Sequence, residues 1–78
     1  MKIIKEKATG CYSVWNSENL YAIIGKPEDL VKRKLISPET AIINTGKWIA
    51  VLAELDSGII VFDRLSDAKR HYCKLKER

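Results

Sequence analysis

The side chains best suited to bind a metal or to act as nucleophiles are Cys11, Cys73 and the one histidine, His71. A structural zinc site generally needs four such ligands, usually in two close pairs. His71 and Cys73 are two residues apart, and on a helix this spacing points them about 200° apart around the axis. A catalytic pair of Cys11 and His71 would need the fold to bring them together, and no spacing motif indicates that. We therefore expect two free thiols, a solvated histidine and no metal or other cofactor.

The carboxylates and glycines indicate no reaction either. Glu54 is the one acidic residue in the long apolar run, but it lies just before a turn. We expect it to reach solvent, because an unpaired carboxylate is seldom buried. The four glycines are scattered and each has a turn explanation, so no phosphate-binding loop is indicated. These patterns predict a protein that is not an enzyme.

The composition is that of a small globular domain. The chain has 78 residues, of which 46% are hydrophobic and 31% are charged, and this predicts a single compact domain over residues 1–78. Its apolar runs are shorter than the roughly 18 residues that a membrane helix requires. The N-terminus lacks the apolar core of a signal peptide, so we expect a cytoplasmic protein.

The net charge of +4 is concentrated at the C-terminus. The last ten residues hold five basic side chains against Glu77, an excess that equals the net charge of the whole chain. Cations near the end of a helix also stabilise its dipole, so part of this charge has a structural explanation. The predicted contact residues for a partner or a nucleic acid are Arg64, Lys69, Arg70, Lys74, Lys76 and Arg78.

The stretch from residue 47 to residue 75 predicts a strand, a tight turn, a second strand and a helix. Both faces of the strand that begins at Trp48 are apolar, which is typical of an internal strand covered on both sides. Asp56-Ser57-Gly58 fits a three-residue hairpin loop with Gly58 in the left-handed conformation. A helix is predicted over 64–77, with one apolar stripe that packs on the sheet. The stripe consists of Leu65, Ala68, Tyr72 and Leu75.

The first half of the chain predicts a meander followed by a helix. Strands are predicted over 3–8, 11–15 and 20–24. Pro27 fits the first position of a helix over 27–36, and Pro38 disfavours its continuation. Residues 38–44 begin with helix-start residues but are too few to distinguish one helical turn from a short strand. The chain therefore predicts an α+β fold, in which a small antiparallel sheet (N-terminal meander plus C-terminal hairpin 47–62) carries two helices and the C-terminal helix packs on the sheet.

The order of elements from residue 27 to residue 62 also fits a winged-helix DNA-binding module. Its recognition helix would be 38–44, which contains no Arg or Lys and offers only Asn44 for bidentate base contact. The hairpin 47–62 is too apolar to extend freely over a DNA groove. Both features disfavour this interpretation.

Two classes of function fit a chain without catalytic residues. The leading hypothesis is a non-enzymatic small basic binding protein that acts on a macromolecular partner, a protein rather than a nucleic acid, as a regulator or inhibitor. Phage and mobile-element products that block a host factor are commonly of this size and style, although this is an analogy and no motif carries it. The alternative is a nucleic-acid-binding domain that uses the basic C-terminal helix. Aromatic residues could add base stacking if they are exposed on a sheet face: Tyr12, Trp15, Tyr21 and Trp48.

Overall fold

The computed structural model describes residues 1–53 and 58–74, which form an antiparallel sheet of five strands with three helices. The strands are β1 (Lys2–Lys5), β2 (Tyr12–Asn16), β3 (Asn19–Gly25), β4 (Trp48–Leu52) and β5 (Ile59–Phe62). The helices are α1 (Pro27–Lys32), α2 (Pro38–Ile43) and α3 (Leu65–Lys74). The strands lie side by side in chain order, and α3 contacts β4 and β5. The predicted α+β fold, with its C-terminal helix on the sheet, is confirmed.

Two turns contain a residue with left-handed backbone, one of them a serine and the other a glycine. Ser17 has a φ of 56° in the two-residue loop that pairs Asn16 with Asn19. Gly58 has a φ of 88° at the end of the loop before β5. The other two residues of that predicted loop, Asp56 and Ser57, lie outside the described residues, as does Glu54.

The sheet is covered on both faces, and β4 contributes to both cores. On one face, Ala50 packs in a buried cluster with Ala68 and Tyr72 of α3. On the other face, Ile49 packs with Cys11 and with Leu30 of α1. The period-two alternation of β4 predicted this arrangement, because successive side chains point to opposite faces of a sheet.

Helix α1 ends earlier than the sequence pattern predicts. Lys34 takes a left-handed φ of 60°, and its amide donates to the Val31 carbonyl at 2.9 Å. The Leu35 amide donates to the Leu30 carbonyl at 3.0 Å. These two bonds are the Schellman arrangement that closes a helix, usually with glycine in the left-handed position. Lys34 occupies that position here, so the sequence carries no glycine signal for the helix end.

Residues 38–43 form a third helix, whereas the sequence left open whether this stretch is a helical turn or a short strand. Strand β4 is paired on both sides, with β3 and with β5, so the β4–β5 hairpin is part of the sheet and is not a free wing. Within residues 1–53 and 58–74, no helix is long and apolar enough to cross a membrane.

Candidate partner-binding surfaces

Helix α3 divides into a buried side and a solvent side. Ala68 and Tyr72 are fully buried against the sheet. Arg64 precedes the helix, and its carbonyl accepts the first amide bonds, from Asp67 at 3.1 Å and from Ala68 at 3.3 Å. Arg64 is exposed.

The basic residues predicted as one contact surface are distributed around α3. Arg70 and Lys74 are exposed and lie one turn apart on the same side. Arg64 is displaced by roughly 120° around the helix axis from Arg70. The Lys69 side chain lies over the ring of Tyr12, with its Nζ 4.7 Å from the ring centroid. The remaining two predicted contact residues, Lys76 and Arg78, lie outside the described part of the chain.

Lys69 belongs to a group of lysines around two aromatic rings, called here the lysine–aromatic cluster. The rings of Tyr12 and Trp48 are 6.2 Å apart in an edge-on arrangement, and both are partly exposed. Lys26 Nζ lies 5.6 Å from the centroid of Trp48, and Lys5 Nζ lies 6.0 Å from that of Tyr12. The members of the cluster are Lys5, Tyr12, Lys26, Trp48 and Lys69.

Strand register brings this cluster together at one end of the sheet. Lys5, at the end of β1, pairs with Tyr12 at the start of β2. Trp48 starts β4, and Lys26 directly follows β3, which runs antiparallel to β4. Because the strands alternate in direction, these four positions lie together at the same end of the sheet. Helix α3 then adds Lys69 from above.

A cleft lies on each side of the ring pair. The first, of about 360 Å³, has Trp48 in its wall together with Lys26, Glu28 and Lys47. The second, of about 380 Å³, has Tyr12 in its wall together with Lys5 and Lys69. Lys47 forms an ion pair with Asp63, and this hydrogen bond lowers the pKa of the Asp63 carboxyl below its usual value. Each cleft therefore combines one aromatic wall with two lysines.

The other two aromatic residues considered for stacking have structural roles. Tyr21 packs edge-on against Tyr72, with ring centroids 5.9 Å apart, in the core beneath α3. Trp15 donates its Nε1 hydrogen to Ser13 Oγ at 2.9 Å. Ser13 pairs across the strands with Ile23, which packs in the cluster on the α1 side, so Trp15 is directed away from the lysine–aromatic cluster.

Helix α2 presents apolar side chains to solvent. Ile42 is 74% exposed and Ile43 is 80% exposed, and α2 contributes no buried residue to either core. The contacts of the helix are chiefly with α1.

Side-chain hydrogen bonds hold α2 at both ends. Ser37 Oγ accepts the Thr40 amide at 3.2 Å and lies 2.9 Å from Thr40 Oγ1. Asn44 Nδ2 donates to the Thr40 carbonyl at 2.9 Å, and Thr45 Oγ1 donates to the Ile42 carbonyl at 2.9 Å. An N-cap of this kind contributes about 1 kcal/mol to helix stability. Capping, rather than core packing, therefore maintains this one-turn-and-a-half helix.

The cysteines and the histidine lie apart. Cys11 is fully buried beside Leu30, whereas Cys73 is exposed on α3, on the other side of the sheet, and both thiols are free. His71 is exposed and contacts the rings of Tyr72 and Phe62, at 4.9 and 5.5 Å. The described residues contain no group of three or more side chains placed to hold a metal ion.

One partly buried ion pair joins the β1–β2 turn to the end of α1. Arg33 Nη1 donates to Glu6 Oε1 at 2.7 Å, and this bond raises the pKa of the Arg33 guanidinium. Both side chains remain about one-third exposed, so the pair fastens the end of α1 to the β1–β2 turn without requiring full desolvation.

Sequence reasoning did not identify the exposed isoleucines or the lysines Lys5 and Lys26. Ile42 and Ile43 resemble core residues as long as the placement of 38–44 is undecided. Lys5 has a local signal in hindsight, since it faces Tyr12 in the predicted meander, but Lys26 becomes a neighbour of Trp48 only through the pairing of β3 with β4. Comparison of the chain with protein-family models, with curated proteins and with solved structures finds no match.

Proposed function

We propose that this chain is a non-enzymatic binding protein that acts on a protein partner, as a regulator or inhibitor does. The observation that carries the proposal is the exposure of Ile42 and Ile43, at 74% and 80%, on a helix that buries nothing. Burial of an isoleucine side chain contributes about 1.5–3 kcal/mol. That free energy is not used within the domain and is available for association.

The caps of α2 support the same proposal. Capping bonds at both ends hold the helix backbone in place before binding, so less backbone conformational entropy is lost when a partner docks. An apolar pair on such a helix resembles the central anchors of protein interfaces, which neighbouring polar contacts surround.

The surroundings of the isoleucine pair favour an acidic partner. Helices α1 and α2 pack against each other, and the exposed cations Lys32, at the end of α1, and Lys34, after it, outnumber the exposed carboxylate of α2, Glu39. A stable interface covers about 800 Å² on each partner, more than two isoleucines supply. We propose that the partner presents an apolar patch to Ile42 and Ile43 and acidic side chains to these lysines.

The alternative function, nucleic-acid binding by the basic face of α3, has less support in this form. Arg70 and Lys74 remain side by side, but Lys69 lies on Tyr12 and Arg64 faces a different direction. Two adjacent cations make a weak phosphate-binding surface, because affinity depends on the number of phosphates neutralised.

The test compares affinity captures from the cell that encodes the chain. The wild-type protein and an Ile42→Gln/Ile43→Gln variant serve as baits, and Gln is chosen because it is a good helix former without charge. A matched control, Ile4→Thr/Val61→Thr, removes two other exposed apolar side chains, which are 42% and 41% exposed on the two edge strands. We expect wild type and control to recover the same protein, and the α2 variant to recover at least about tenfold less, a loss of about 1.4 kcal/mol.

Equal recovery of that protein by the α2 variant would overturn the proposal, provided that circular dichroism shows both variants to be folded. Gel filtration of the purified chain tests whether a second copy of the chain, instead of a different protein, covers α2. If wild type is a dimer and the α2 variant a monomer, the surface is covered by a second copy and the proposed partner is wrong.

A further inference from the structure

The geometry points to a second binding site, for single-stranded nucleic acid, at the lysine–aromatic cluster. Bases stack on Tyr12 and Trp48, and the phosphates between them contact Lys5, Lys26 and Lys69. The inference stands apart from the proposed protein partner, because it uses residues at the end of the sheet and not Ile42 or Ile43.

The two clefts give each ring an open side. The cleft beside Trp48 measures about 360 Å³ and the cleft beside Tyr12 about 380 Å³, within the range of sites that bind small planar ligands. The rings between them are 6.2 Å apart. A strand that passes from one cleft to the other meets the ring of Trp48 and then the ring of Tyr12.

Lysine ammonium groups lie over both rings. Lys69 lies 4.7 Å from the Tyr12 centroid, and Lys26 lies 5.6 Å from the Trp48 centroid. A cation–π contact at an exposed site is weaker than the stacking of a base on an aromatic side chain. A lysine stem is also flexible, so a base can replace the ammonium group on the ring while that group moves to the neighbouring phosphate.

The charge of the site favours a polyanion. In the part of the chain that the structure describes, Lys5, Lys26 and Lys69 take part in no ion pair. Two acidic groups face the same region: Glu28 lines the cleft beside Trp48, and Asp63 pairs with Lys47. Three unneutralised cations against one unpaired carboxylate leave the site positive.

A single strand fits this arrangement better than a duplex does. The rings are set in the walls of clefts and contact the core beneath α3, so they cannot intercalate into stacked base pairs. The bases of a single strand can turn their faces outward to meet such rings. An acidic peptide would satisfy the lysines but would leave the two aromatic walls without a stacking partner.

The first test measures binding of a fluorescent oligothymidylate of about 12 nucleotides, a length within the site sizes of small single-strand-binding folds. The variant Lys26→Ala/Lys69→Ala is compared with Lys2→Ala/Lys74→Ala, which removes the same charge from exposed positions outside the cluster and outside the α2 surface. Lys26 makes no side-chain cap bond to α1, so its removal leaves the helix start intact. We expect the cluster variant to lower the slope of log affinity against log salt by about 1.4, since each phosphate contact on a single strand contributes roughly 0.7. The control should keep the wild-type slope.

The second test uses the two tryptophans as internal probes. In a Trp15→Phe variant, Trp48 is the sole tryptophan, and the oligothymidylate should quench its fluorescence in proportion to binding. In a Trp48→Phe variant, Trp15 is the sole tryptophan and lies on the other face of the sheet, so its fluorescence should not change. A Trp48→Leu variant should bind about 5- to 150-fold more weakly, the loss expected for one base–aromatic stack.

Three results would overturn the inference. The first is that the wild-type protein does not bind the oligothymidylate at about 50 mM salt, where such contacts are strong. The second is that it binds a duplex of the same length with equal affinity. The third is that the two lysine variants weaken binding equally. Preference for poly-glutamate over the oligonucleotide, without quenching of Trp48, would assign the site to an acidic protein instead. Loss of α2 binding in the capture experiment does not affect any of these readouts, so the two proposals fail separately.

Discussion

At the scale of single residues, Tyr72 combines a well-packed ring with a buried polar hydroxyl. It is fully buried, and three rings surround it: Tyr21 at 5.9 Å, Phe62 at 6.3 Å and His71 at 4.9 Å. Its hydroxyl finds no hydrogen-bond partner within residues 1–53 and 58–74. Burial, and to a smaller extent the proximity of Tyr21, raises the pKa of Tyr72 to about 12. The ring stabilises the core, whereas the hydroxyl destabilises it.

We therefore expect Tyr72→Phe to stabilise the protein by roughly 1–3 kcal/mol, because the substitution removes an unsatisfied buried group and keeps the ring. Urea denaturation at neutral pH measures the difference. Tyr21→Phe is the matched control, since it deletes the same hydroxyl from a partly exposed neighbour, and it should change stability by less than about 0.5 kcal/mol. A less stable Tyr72→Phe protein would show that the hydroxyl has a partner in the folded state.

The same residue predicts a loss of stability at high pH. The unfolded chain ionises this tyrosine near its ordinary pKa of 10.0, whereas the folded protein keeps it neutral up to about 12. The contribution of Tyr72 to the free energy of unfolding is therefore fully present below pH 10. It falls as the pH rises toward 12, by roughly 2–3 kcal/mol at most. Tyr72→Phe lacks this contribution, so the stability difference between the two proteins should widen over that interval. A constant difference would contradict the raised pKa.

The residues of the candidate sites were predictable only in part, because their neighbours are set by distant parts of the chain. Lys69 was identified from the charge of its own segment. Its position over Tyr12 depends on how α3 crosses the sheet, which no local pattern specifies. Ile42 and Ile43 have the residue type of a core, and their exposure follows from the placement of α2 beside α1 rather than on the sheet.

At the scale of elements, the end of β3 lies close to Cys11 and to α1 at Gly25. A Cβ atom at Gly25 would lie 2.8 Å from Cys11 Sγ and 3.1 Å from Leu30 Cδ2. Cys11 and Leu30 are fully buried, so neither can move into solvent to make room. Gly25 is therefore required because the helix approaches the end of the strand closely, and not because of its backbone conformation.

We expect Gly25→Ala to destabilise the protein by about 1–3 kcal/mol through overpacking. Cys11→Ala removes the sulfur that the new methyl group would meet, so the double variant should be more stable than the sum of the single effects predicts, by about 0.5–3 kcal/mol. Chemical denaturation of the four proteins measures this coupling. Cys73→Ala is the control, because it removes an exposed thiol on the other side of the sheet and should show no coupling with Gly25→Ala. Additive effects of Gly25→Ala and Cys11→Ala would contradict the close approach.

Local patterns predicted the elements where one period or one cap dominates. The alternation in β4 identified an internal strand, since a period of two depends on the strand alone. The predicted end of α1 was wrong by several residues, because Lys34 and not a glycine takes the left-handed position that closes the helix. Helix α2 was left undecided, because the same few residues can form a helical turn or a strand until side-chain bonds from Asn44 and Thr45 close the helix.

At the scale of the whole molecule, the two proposed surfaces are neighbours. Thr45 bonds to the carbonyl of Ile42 at the end of α2, and it also lines the cleft that contains Lys26 and Trp48. An interface of about 800 Å² is roughly one-seventh of the accessible surface of 5505 Å². A partner that is centred on α2 and extends past Thr45 covers the cleft beside Trp48.

Overlap of this kind predicts that the protein partner and single-stranded nucleic acid compete. The partner recovered in the capture experiment is immobilised and loaded with the chain. An excess of the oligothymidylate should then release the chain from the partner. The release should fall when the chain carries Lys26→Ala/Lys69→Ala, because that variant binds the strand weakly, and should persist with Lys2→Ala/Lys74→Ala, which leaves both proposed surfaces intact. The physical reason is that both occupants cover Thr45, which lies between α2 and the cleft beside Trp48, and two ligands cannot occupy the same surface. The whole molecule measures only 34 × 25 × 23 Å. A stable ternary complex, seen as oligonucleotide retained on the immobilised partner without loss of the chain, would show that the two surfaces act independently.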